Sequence, residues 1–174
     1  MTHNILVSDP ISEKGLQSLI HHPDFNVDFK SGLTEKELVD IIPNYQGLIV
    51  RSQTQVTESI INHASNLKVI ARAGVGVDNI DIKSATLNGI LVVNAPDGNT
   101  ISATEHSVAM ILAMARNIPQ AYTSLKNKEW NRKAFKGVEL YQKVLGVIGA
   151  GRIGLGVAKR LKSFGMTVLA YDPF

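Results

Sequence analysis

Short apolar runs and helically spaced apolar positions take turns along the first hundred residues. NILVSD (4–9) is an apolar run stopped by Pro10, and Ser12 is placed to cap the amphipathic EKGLQSLI that follows. FNVDFK (25–30) alternates apolar and polar positions until SG breaks it. Thr34 and Glu37 then form a T-x-x-E capping box ahead of LVDII, which predicts a helix ending before Pro43. GLIVRS (47–52), LKVIAR (67–72) and ILVVN (90–94) read as strands, and TESIINHAS and DIKSATLNG read as the helices between them, the second closed by Gly89. Five strands alternating with helices over short turns predict a parallel sheet wrapped on both faces, in a first domain of residues 1–98.

From Thr100 the period lengthens. Ile101, Val108, Ile111, Leu112 and Ala115 recur at helical spacing and predict a crossover helix over 100–117. The polar and basic stretch 118–142 reads as an extended connector. A second start follows: KVLGVI (143–148) as a strand, a glycine turn, a helix with Ile153, Val157, Leu161 and Phe164 on one face, and MTVLAYD (166–172) as the next strand. Residues 99–174 are thus expected to form a partial second domain.

Composition narrows the classes. With 44% hydrophobic and 19% charged residues the chain has the make-up of a globular protein. AMILAMA (109–115) is too short to cross a bilayer, and no basic segment with an apolar signal core opens the chain, so a cytoplasmic location and no membrane partner are expected. The absence of cysteine removes disulfides and thiolate metal sites, and His3, His21, His22 and His63 show no metal-ligand spacing. A net charge of +3 could serve nucleic acid, but the basic residues are scattered without interleaved aromatics, so a small anionic ligand is the better expectation.

The chemistry gathers in VIGAGRIG (147–154). Gly149 permits a tight turn out of the strand, Gly151 leaves the backbone open to a pyrophosphate, and Gly154 lets the helix pack closely on the sheet. Arg152 and Ile153 fall in the first helical turn, whose N–H groups and dipole face the phosphates. Asp172 closes the next strand, 23 residues after Gly149, where a carboxylate accepts ribose hydroxyls and repels a 2′-phosphate; NAD rather than NADP is expected. The competing account is a glycine-rich turn of an ordinary β/α protein. No G-x-S-x-G elbow or Walker lysine supports acyl transfer or nucleotide hydrolysis.

VLGVIGAGRIG, FGMTVLAYDPF, ARAGVGVDNID and NTISATEHSVAMILAMARNIP together resemble the NAD-dependent D-2-hydroxyacid dehydrogenase family, and LIVRSQTQVT with WNRKAFKGVEL resemble its phosphoglycerate dehydrogenase branch. The resemblance implies an α/β fold: a flavodoxin-like substrate domain followed by the first β-α-β of an incomplete Rossmann NAD-binding domain. It implies that the Gly74-Val75-Gly76 loop holds the substrate carboxylate through backbone N–H groups, with Val75 also touching the cofactor. Arg51, Ser52 and Arg72 match the mouth of the substrate site, two guanidinium groups at neighbouring strand ends suiting an anion. Arg132 matches an arginine that reaches a neighbouring subunit's site, and Thr104 a residue beside the nicotinamide; His106 reads as a structural helix residue.

In the resembled family the catalytic arginine, glutamate and histidine lie further along, so none is expected before Phe174, and the chain reads as a truncated portion, silent by itself. The resemblance implies oxidation of 3-phospho-D-glycerate to its 2-oxo acid in serine synthesis, or else a dehydrogenase of glycerate or lactate. From another class, a non-catalytic NAD-sensing binding protein is the rival. The family pattern and the apolar crossover helix imply a homodimer or homotetramer.

Overall fold

The computed structural model describes residues 2–174 and divides into two units, one ending at Gly98 and one spanning Asn99–Phe174. The first contains β1 (His3–Val7), a 3₁₀ turn (Glu13–Leu16) leading into α1 (Gln17–Ile20), and β2 (Phe25–Phe29). It continues with α2 (Glu35–Ile41), a 3₁₀ turn (Ile42–Asn44), β3 (Gly47–Val50), α3 (Glu58–His63), β4 (Val69–Arg72), α4 (Ile82–Leu87) and β5 (Leu91–Asn94). Its strands form a parallel sheet in the order β2-β1-β3-β4-β5, the flavodoxin-like arrangement. Strand register lines up Leu6, Leu48, Ile70 and Val92 in one row across four strands. That row meets Leu38, Ile60, Ile61 and Ala85 from the helices, and each fully buried aliphatic side chain contributes about 1.5–3 kcal/mol.

Local chemistry explains the helix starts. Thr34 Oγ1 accepts from the Glu37 N–H at 3.3 Å while Glu37 Oε2 accepts from the Thr34 N–H at 2.8 Å, completing the predicted capping box. Asp81 Oδ1 caps α4 by accepting from the Ser84 N–H at 2.8 Å. The backbone N–H groups facing Glu37 and Asp81 hold both carboxyls below their ordinary values. Ser12 does not act as a cap: the segment opens on a Gly15 N–H to Ser12 C=O bond of 3₁₀ type. Gly15 weakens the helix there, and α1 is a single turn.

The second unit comprises α5 (Thr100–Ala115), α6 (Ile118–Lys126), β6 (Val144–Ile148), α7 (Arg152–Lys162) and β7 (Thr167–Tyr171), with β6 and β7 paired in parallel. The expected extended connector is corrected over its first third, which is α6. Asn117 adopts a left-handed φ of 51° that ends α5, and Pro119 in the first turn suits a fresh helix start. Ile118, Ala121, Tyr122 and Leu125 carry the helical period, hidden in the sequence by the polar residues around them. Phe164 is also corrected: α7 stops at Lys162, and Gly165 at φ 75° turns the chain, leaving Phe164 exposed beyond the helix. Val157, Leu161 and Met166 form the small core, backed by Val108, Ile111, Leu140, Leu145 and Ile153. Among the described residues no helix is long and apolar enough to cross a membrane.

Candidate functional site

In the first unit the sheet order reverses at β1 and β3, and ligands of open α/β sheets bind at the carboxyl ends of strands beside such a reversal. Arg51 and Ser52 leave β3 there, exposed, and Arg72 ends β4 in register with Val50. The loop they share is held from below. Asp9, buried just beyond β1, accepts from the N–H groups of Arg51 at 2.6 Å, Gln53 at 3.2 Å and Thr54 at 3.0 Å. The Thr54 hydroxyl donates to the same carboxylate at 2.6 Å and lies 3.0 Å from Ser8 Oγ.

The loop's carbonyls go to another buried side chain. Asn79 Nδ2 donates to Arg51 O at 3.0 Å and Thr54 O at 2.7 Å. Its Oδ1 accepts from Arg72 Nε at 2.9 Å, and Arg72 Nε also reaches Arg51 O at 3.1 Å. Arg72 therefore does not offer its whole fork to a ligand; its terminal nitrogens remain. Nη1 lies against the Gly74 backbone, 2.7 Å from where a β-carbon would stand. Among the described residues the N–H groups of Val75 and Gly76 have no backbone acceptor, while Val75 O accepts from Asn94 Nδ2 at 2.6 Å. A guanidinium beside N–H groups without a backbone acceptor at a strand end favours an anion, although the Asp78 carboxylate also stands close, its Oδ1 2.8 Å from where a β-carbon of Gly76 would be. Asp9, Thr54 and Asn79 escaped the sequence reading; an acid directly after the buried run NILVS was the signal available for Asp9.

The second unit carries the glycine turn between β6 and α7. Gly149 sits at φ 90°, a conformation costly for residues with a β-carbon, and its N–H donates to Tyr171 O at 2.8 Å. Gly151 is the N-cap of α7 in extended geometry, with no side-chain cap and nothing within 4 Å of where a β-carbon would stand. A β-carbon on Gly154 would collide with the Gly149 carbonyl oxygen and stand 3.2 Å from Val147 Cγ1, so only glycine permits this approach of helix to strand. Asp172 Oδ2 accepts from the Ala150 N–H at 2.6 Å and Oδ1 from the Phe174 N–H at 3.1 Å, which ties the exposed carboxylate to the turn. Arg152 is exposed and Ile153 half-buried in the first turn.

Thr104 is corrected. It is fully buried against Gly156 of α7, whose β-carbon would stand 2.6 Å from Thr104 Oγ1, and its hydroxyl donates to Thr100 O at 2.7 Å. The small residue serves the α5–α7 crossing, so its side chain is not presented to a cofactor. His106 is exposed on α5. Arg132, also exposed, borders a cleft with Ala121, Leu125, Trp130 and Phe135.

Comparison with known proteins adds to this geometry. The family model described as D-isomer specific 2-hydroxyacid dehydrogenase, catalytic domain, matches residues 5–168. A D-3-phosphoglycerate dehydrogenase of Synechocystis sp. is 54% identical over 170 residues, covering 98% of this chain and 30% of its own length. A crystallised protein of Thermus thermophilus superposes with a TM-score of 0.89 at 31% identity, over 98% of this chain and 56% of that one. The NAD+-bound 3-phosphoglycerate dehydrogenase of Entamoeba histolytica superposes with a TM-score of 0.80 at 29% identity, over 100% of this chain and 55% of that one. The chain thus spans about a third of the length of the curated relatives it matches (30–32%).

Proposed function

Because the chain belongs to the D-isomer specific 2-hydroxyacid dehydrogenase family, we propose that the whole protein oxidises 3-phospho-D-glycerate to its 2-oxo acid with NAD. The observation that carries the coenzyme half is the open, uncapped turn at Gly151 with the Asp172 carboxylate hydrogen-bonded beside it. The turn fits a dinucleotide: nothing stands within 4 Å of where a β-carbon on Gly151 would be, and the N-terminus of α7 carries no side-chain cap, as a helix end that receives a pyrophosphate requires. Arg152 and Ile153 flank that space, and Asp172 has lone pairs left for ribose hydroxyls. Its charge disfavours a 2′-phosphate. When bound, NAD supplies the hydride acceptor.

The substrate half rests on the Arg51, Arg72 and Val75–Gly76 cluster, with Ser52 and Gly74 at its edge, and on the phosphoglycerate dehydrogenase name of the 54% identical relative. Arginine and backbone N–H groups bind the oxygens of a carboxylate or phosphate, and the positive charge draws the anion in. Arg132 reaches toward a second subunit in this reading. Titration calorimetry with NADH and NADPH tests the coenzyme assignment: NADH binds tighter, and Asp172→Ala removes the preference. Tighter NADPH binding that Asp172→Ala leaves unchanged overturns it. In steady-state assays Arg51→Ala raises the KM for 3-phosphoglycerate, and a preference for lactate or glycerate would overturn the substrate.

A further inference from the structure

One buried amide joins both arginines of the anion cluster. Asn79 is 6% exposed, so its three hydrogen bonds are made away from bulk water, where a fixed geometry is least easily replaced by solvent. Its carboxamide oxygen takes Arg72 Nε, and its nitrogen takes the carbonyls of Arg51 and Thr54. Arg72 Nε bonds the same Arg51 carbonyl, which closes a small ring of contacts among the three residues. Asn79 is itself pinned: its C=O accepts from the Val56 N–H at 2.8 Å, and the neighbouring Ile80 bridges to Val56. With Nε engaged, the guanidinium loses rotation about its long axis, and Nη1 stays over the Gly74 backbone, 3.8 Å from where a β-carbon of Gly76 would stand.

From this geometry we propose that Asn79 is a positioning residue: it orients the Arg72 guanidinium toward the Gly74–Gly76 loop and sets the departure of Arg51 from β3, so that both cations converge on one anion. The inference rests on the substrate reading above and adds to it a residue that touches no ligand. Only an amide suits the place, because it must accept from a guanidinium and donate to two carbonyls at once. Aspartate keeps the first contact and loses the other two. Asp9 complements it by taking the N–H groups of the same loop.

A double-mutant cycle in the intact protein tests the proposal, with 3-phosphoglycerate affinity as the readout and thermal unfolding as the control. Asn79→Ala weakens binding roughly tenfold, as loss of a charge-assisted positioning contact would, and has a clearly smaller effect once Arg72→Ala is present, the remainder coming through the Arg51 carbonyl. An equal loss in both backgrounds, or none, overturns the role. If the unaltered protein does not bind 3-phosphoglycerate, the substrate reading fails separately, and hydrogen exchange of the Arg72 Nε–H by NMR decides the positioning claim without any ligand. Exchange quickened by Asn79→Ala supports it; unchanged exchange overturns it. Should Asn79→Ala not fold, slow Arg72 exchange against fast exchange at the exposed Arg51 in the unaltered protein supports the clamp, and equal rates overturn it.

Discussion

Around Arg51 the backbone is held by side chains from far along the chain, whereas around Gly149 its shape depends mainly on positions that carry no side chain, with the Asp172 carboxylate as an added tie. Asp9 and Asn79 bring carboxylate and amide groups to the 51–54 loop across gaps of 25 to 45 residues. The 149–154 turn depends instead on a left-handed φ at Gly149, an open face at Gly151 and a close approach at Gly154. Their surroundings differ in the same sense. The loop sits on a sheet with an extensive core, while the turn stands on two strands whose Val144, Ile148, Leu169 and Tyr171 are exposed. The two regions therefore have different weaknesses: one fails when a distant partner is removed, the other when a methyl group is added.

The largest effect is expected where that contrast is sharpest. Asp9→Ala strips the acceptor from three backbone N–H groups and a hydroxyl, and lowers the stability of the first unit by about 3 kcal/mol, read from urea unfolding. A loss below about 1 kcal/mol would mean that water replaces the carboxylate and that the loop is not held by side chains. Next comes the turn. Gly154→Ala forces helix from strand and costs about 2 kcal/mol, whereas Gly151→Ala, at an ordinary extended φ with free space around it, leaves stability within about 0.5 kcal/mol. Calorimetry should nonetheless show Gly151→Ala weakening NADH binding, since the methyl group occupies the phosphate's approach. If the two glycine variants behave alike, their roles are not divided in this way.

The smallest effect lies at the helix caps, away from both sites. Thr34→Ala removes half of the capping box and costs about 1 kcal/mol. The Glu37 and Asp81 carboxyls are held below their ordinary values of 4.5 and 3.8 by the N–H groups they accept from. A lowered native value means that the stabilisation is complete above the ordinary value and lost as pH falls through the lowered one. Melting temperatures below about pH 4.5 should accordingly fall with acid, and Glu37→Gln should flatten that fall; an unchanged slope would remove Glu37 from the account.

How much was legible beforehand follows from the reach of each interaction. The T-x-x-E box, the five strands and the glycine turn are built from neighbours a few residues apart, so their chemistry stands in the text of the chain. Helix α6 has the right apolar spacing, yet its polar and basic surroundings read as a connector, and the left-handed Asn117 that separates it from α5 is visible only in the structure. Thr104 looks the same in sequence whether it faces a ligand or a helix; Gly156, fifty-two residues later, decides the matter by leaving room for it.

The sequence by itself determined the alternation of strands and helices, the place of the glycine turn and the acid that follows it, because apolar period, backbone freedom and capping act within one or two turns of chain. Only the tertiary structure decided which carboxylate holds the Arg51 loop, that Asn79 ties Arg51 to Arg72, and which way Thr104 faces. Those contacts join residues the chain keeps far apart, and hydrogen bonds and close packing depend on distances in space that no local pattern encodes.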